Sequence, residues 1–175
     1  MFIIAHRGAP NLCIENTIQS FVTALDYGAD GIELDVQYSK DKQLVVFHDW
    51  NLCSITGEKA LITDSDYKYL KTINLNKNAA FIGIPLFEHV AEIMPKDKYF
   101  HIEIKSQKYI GNKKLVRDVI QIINKYNLKD KTIISSFNPF VLWCVKQMDP
   151  TIKRGVLWTG KKKKSWYIRK SNLFF

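Results

Sequence analysis

The 175-residue sequence reads as an α/β protein of the TIM (β/α)8 barrel type that stops after about six βα units. Three observations carry that reading. Short apolar runs alternate with helical patterns along the chain. Several of those runs end in ionisable residues at their C-terminal edge. Those residues are spread over at least four runs, and the Gly-rich phosphate loop of a doubly wound sheet is absent.

The apolar runs are Phe2–Ala5, Gly31–Val36, Leu44–Phe47, Tyr99–Ile104, Thr132–Ile134 and Gly155–Trp158. Between them, Ile18, Phe21, Val22 and Leu25 fall at i, i+3, i+4 and i+7, so a helix opens behind Asn16 or Thr17 as N-cap and ends at Gly28. Phe87, Val90, Ala91 and Met94 repeat the spacing until Pro95 stops it. Leu115, Val119, Ile122, Ile123 and Tyr126 form a third stripe. Asn138-Pro139 supplies an N-cap and an N1 proline for a fourth helix over Phe140–Met148. Residues 49–85 carry the weakest pattern and are expected to be a long excursion with a short helix near Ser65–Leu70. Near-continuous apolar strands separated by helices mean parallel strands covered on both faces. Doubly wound sheets and closed barrels both satisfy that pattern, and the spread of polar strand ends decides for the barrel.

Composition sets further bounds. With 46% hydrophobic and 25% charged residues, the chain has ample core material, and residues 1–175 are expected to form a single domain. No apolar run approaches the ~18 residues that a membrane span needs. The net charge of +9 is a tail property: residues 1–150 hold 18 basic and 17 acidic side chains, while the excess collects in Lys161–Lys164, Arg169 and Lys170. Such a run is ordinarily solvated surface, so no nucleic-acid partner is expected. Cys13, Cys53 and Cys144 are odd in number and lack metal-site spacing, which fits reduced thiols and a cytoplasmic location.

The chemistry collects at the strand ends. Phe2–Ala5 runs into His6-Arg7, and Leu44–Phe47 into His48-Asp49. Glu33 and Asp35 lie two apart and share one face of their strand, as do Glu103 and Lys105. A carboxylate pair facing a buried sheet is costly unless it is paired or binds a cation. Ser135-Ser136 closes the fifth run, with a backbone-bonding role and a site role both open, whereas His89 and His101 read as structural. No G-x-S-x-G elbow supports a serine nucleophile.

Several motifs taken together resemble the glycerophosphodiester phosphodiesterase family. They are His6-Arg7-Gly8-Ala9-Pro10, Glu15-Asn16-Thr17, the segment Gly28–Val36 with Glu33 and Asp35, and Val46-Phe47-His48-Asp49. Ile84-Pro85-Leu86 with Glu88, Glu103-x-Lys105 and Ser135-Ser136-Phe137 continue the likeness, which spans about residues 2–158. The resemblance implies a TIM barrel that hydrolyses small-molecule glycerophosphodiesters to glycerol 3-phosphate and an alcohol with a divalent cation. It implies that Glu33, Asp35 and Glu103 bind the metal, that His6 and His48 act as the acid/base pair, that Arg7 and Lys105 bind phosphate, and that Glu15 supports the site. Three carboxylates suit a hard cation, Mg²⁺ or Ca²⁺.

A complete barrel takes about 250 residues, and this chain ends before two further βα units would fit. It is therefore expected to be a piece of a longer protein, the alternatives being a barrel completed by another chain or a decayed homologue that binds phosphodiesters without turnover.

Overall fold

The computed structural model describes residues 1–57, 59–76 and 80–158, so the basic run Lys161–Lys164 lies outside the described residues. Six strands form one sheet: β1 (Ile4–His6), β2 (Gly31–Tyr38), β3 (Leu44–Val46), β4 (Tyr99–Ile104), β5 (Thr132–Ser136) and β6 (Lys153–Val156). Five of them are parallel, in the order β1-β2-β4-β5-β6. The helices that cover them are α1 (Ile18–Asp26), α2 (Cys53–Thr56), α3 (Tyr67–Leu70), α4 (Phe87–Ile93), α5 (Lys113–Lys125) and α6 (Pro139–Met148).

One expectation is corrected. The run Leu44–Phe47 yields β3, which is not a parallel stave but pairs antiparallel with the C-terminal half of β2, Val36 opposite Val46 and Tyr38 opposite Leu44. Among the described residues the parallel staves therefore number five rather than six. The physical reason is reach. Only residues 39–43 separate β2 from β3, whereas a parallel crossover needs about a dozen residues or more. The short connection closes as a hairpin, with Ser39 N–H on the Gln43 carbonyl at 3.0 Å and Lys42 at positive φ. The sixth strand also forms earlier than its apolar run suggests, at Lys153–Val156 rather than Gly155–Trp158. It follows the register of β5, Ile133 beside Lys153 and Ser136 beside Val156.

The outward faces of the strands bury Leu34, Val36, Phe100, Ile102 and Ile104 against Phe21, Phe87, Val116, Val119 and Val145 of the helices. Phe87 and Phe100 stack with ring centroids 5.7 Å apart. The excursion after β3 closes over a core of its own, in which Leu52, Ile62, Leu70 and Ile84 pack with Val45 and Phe47. Among the described residues, no helix is long and apolar enough to cross a membrane.

Candidate active site

Strand alternation aims Glu33 and Asp35 of β2 and Glu103 of β4 into the barrel. Register sets their neighbours: Glu33 lies beside His6 and His101, Asp35 beside Glu103, and Glu103 beside Ser135. The carboxylates of Glu33, Asp35 and Glu103 each offer an oxygen, and these oxygens all lie within 4.8 Å of one another. An ion contacting oxygens at about 2.3–2.6 Å spans roughly 4.6–5.2 Å across its shell, so the three residues fit a hard divalent cation.

The cations expected at the site converge on the same carboxylates. Arg7 Nε lies 3.3 Å from Asp35 Oδ2, and Lys105 Nζ lies 3.5 Å from Asp35 Oδ1 and 3.6 Å from Glu103 Oε1. Glu15 holds Arg7 from the other side, accepting a hydrogen bond from its guanidinium at 3.0 Å. Arg7 is pinned in a left-handed backbone conformation, its N–H shared between the Glu33 carbonyl at 3.0 Å and Glu33 Oε2 at 3.2 Å. Gly8 follows with φ of +87°, and a Cβ there would strike Ser20, so glycine alone lets α1 approach the end of β1.

The two histidines follow different strands, β1 and β3. His6 Nε2 stands 3.8 Å from Glu33 Oε2. His48 follows β3, and its Nδ1 is 2.8 Å from Asp49 Oδ1, while Asp49 Oδ2 accepts from Ser54 Oγ at 2.9 Å. Burial and the Arg7 charge lower the His6 pKa against the opposing pull of Asp35 and Glu15. Burial pushes Glu33 up to about 7, helped by the charge of Asp35, and burial also raises Glu103 against the pull of Lys105. Burial raises Asp49 as well, but hydrogen bonds from Ser54 and His48 outweigh it and the net shift is downward.

A profile of the glycerophosphoryl diester phosphodiesterase family matches residues 6–171. The chain belongs to that family. A glycerophosphodiester phosphodiesterase of Caldanaerobacter subterraneus subsp. tengcongensis is 38% identical over 173 residues, covering 95% of this chain and 70% of the relative. One of Bacillus altitudinis is 36% identical, covering 89% of this chain and 65% of the relative. A phosphodiesterase of Oleispira antarctica, solved in complex with the product sn-glycerol-3-phosphate, superposes with a TM-score of 0.82 at 26% identity, covering 97% of this chain and 70% of that one. The chain thus spans about two thirds of the length of these glycerophosphoryl diester phosphodiesterase family relatives.

Three further polar or aromatic residues stand at the site of this family member. Asn16, considered as an N-cap, leaves that role to Thr17, whose side chain accepts from Ser20 N–H at 3.2 Å. Asn16 instead donates to Asp35 Oδ2 at 3.0 Å and accepts from the Asp35 N–H at 3.3 Å. Gln37, inside an apolar strand, donates to the carbonyls of Phe47 and Asp49. Trp50 presents its ring to Lys105 Nζ, 5.2 Å from the centroid. The serine pair divides: Ser136 donates to the Ile104 carbonyl at 2.7 Å, while Ser135 Oγ meets His101 Nε2 at 2.9 Å inside the barrel.

Proposed function

We propose that the protein hydrolyses glycerophosphodiesters to glycerol 3-phosphate and an alcohol. The observation that carries this reading is the meeting of three carboxylates, with oxygens within 4.8 Å of one another, with Arg7 and Lys105 beside them. Such a site presents both an anion cage for a cation and fixed positive charge for a phosphate. A divalent cation, Mg²⁺ or Ca²⁺, held by Glu33, Asp35 and Glu103 supplies charge neutralisation at the phosphoryl oxygens when bound. Arg7 offers a planar fork of donors to the phosphate, and Lys105 a compact charge. Glu15 keeps the Arg7 fork aimed.

His48 and His6 divide the proton transfers. The bond from His48 Nδ1 to Asp49 keeps the ring proton on that side and leaves Nε2 to take a proton from the attacking water. A new P–O bond forms, the bond to the alcohol oxygen breaks, and His6 protonates the departing alkoxide. The reading includes a cytoplasmic location, supported by three cysteines that are all free thiols. Arg7 and Lys105 standing within 3.6 Å of the carboxylates that could hold a cation favours turnover over a decayed binder.

The test is release of glycerol 3-phosphate from glycerophosphocholine or glycerophosphoethanolamine. Release in Mg²⁺ or Ca²⁺ and its loss in excess chelator are expected. Cleavage of lysophospholipids or nucleic-acid diesters alone, with no glycerophosphodiester turnover, would overturn the substrate assignment.

A further inference from the structure

Gln37 is 1% exposed, on the same face of β2 as Glu33 and Asp35. Its Nε2 donates twice, to the Phe47 carbonyl at 2.8 Å and to the Asp49 carbonyl at 2.9 Å. Those two carbonyls bracket His48. The amide orientation is fixed by chemistry, because only the NH₂ end can satisfy two acceptors. The other end, Oε1, is buried and has no donor among the described residues. A buried acceptor left unpaired is destabilising, so this amide spends its hydrogen bonds on one object, the turn that carries His48.

The turn needs such a clamp. The last ladder-like bond before it runs from Phe47 N–H to the Asp35 carbonyl at 3.1 Å, after which the chain leaves the sheet through residues 48–50. The His48 ring itself is tied to Asp49, a residue of the same turn. The Phe47 bond ties the start of the turn to β2, and the two Gln37 bonds carry that hold past His48 to Asp49. We propose that Gln37 is a positioning residue that locks the His48 turn onto the strand bearing Glu33 and Asp35, setting the distance between proton-transfer group and carboxylate cluster. The proposal rests on His48 serving in proton transfer.

Gln37→Met in the full chain tests it, because methionine keeps length and apolar volume and removes both donors. In ¹⁵N-histidine-labelled protein, the His48 ring signals shift and broaden, while those of His6, His89 and His101 stay in place. Ca²⁺ affinity stays within about threefold of wild type, since Gln37 touches none of the three carboxylates. With glycerophosphocholine, kcat falls by up to about 10²-fold, the scale of a misplaced catalytic group, and KM holds. Gln37→Glu, which keeps the shape but loses the paired donors when ionised, serves if the methionine variant does not fold. An unchanged His48 spectrum in a folded variant overturns the proposal, whether or not kcat falls. His48→Ala, measured alongside, separates the two readings: if it retains full activity, the acid/base role fails, while the spectrum still decides whether Gln37 holds the turn.

Discussion

β2 and β6 are parallel strands of one sheet, yet seven of the eight β2 residues are buried and none of the four in β6 is. The difference is one of neighbours. β2 is flanked by β1 and β4 and carries β3 against its C-terminal half, whereas β6 pairs with β5 alone among the described residues. The charged core of the site follows burial, with Glu33, Asp35 and Lys105 buried on β2 and just beyond β4, while His6 at the end of β1 stays exposed. Placing the carboxylates where water is excluded is what raises Glu33 and Glu103.

The largest effect expected from breaking the buried side is catalytic. His48→Ala should lower kcat by about 10²–10⁴-fold, the range for a positioned proton-transfer group. Steady-state kinetics with glycerophosphocholine measures it, and a loss below about tenfold would remove His48 from the mechanism.

A smaller effect, in stability, sharpens the contrast between strands. Phe100→Ala in β4 removes a fully buried ring stacked on Phe87 and should cost about 3–5 kcal/mol. Val156→Ala in β6, where the side chain is 41% exposed, should change stability by no more than about 0.5 kcal/mol. Urea unfolding of the two variants reads the difference, and equal losses would show that β6 is as integral to the core as β4.

Much of this contrast was legible in the sequence. The alternation of apolar runs with helical stripes locates β1, β2, β4 and β5 and helices α1, α4, α5 and α6, because burial on both strand faces and on one helix face leaves distinct periods. The strand-end pattern likewise picks out His6, Arg7, Glu33, Asp35, His48, Glu103 and Lys105. Strand direction was not legible from hydropathy, since Leu44–Val46 is equally apolar in either direction; the shortness of residues 39–43 was the available signal. The second core was hidden because Leu52, Ile62, Leu70 and Ile84 are spaced to suit short helices and bends rather than one period. Asn16 and Gln37 were hidden for another reason. Their roles depend on partners 19 residues away for Asn16 and 10 and 12 away for Gln37, and no local spacing encodes such contacts.

The central claim is that Glu33, Asp35 and Glu103 hold one divalent cation, and calorimetric titration of the metal-free protein with Ca²⁺ or Mg²⁺ tests it most directly. The raised Glu33 pKa gives the result a sign. A carboxyl group whose folded pKa stands near 7, above its ordinary 4.5, holds its proton across that window. Cation binding must expel that proton. Affinity should therefore be flat above about pH 7 and fall roughly tenfold per pH unit below it, with proton release on binding. In the metal-free protein the same shift favours folding at low pH, and that contribution fades as pH rises from about 4.5 through 7. The account predicts one cation per chain, with binding greatly weakened in a folded Asp35→Asn variant. Equal binding by wild type and Asp35→Asn, or affinity independent of pH between 5 and 7, would contradict it.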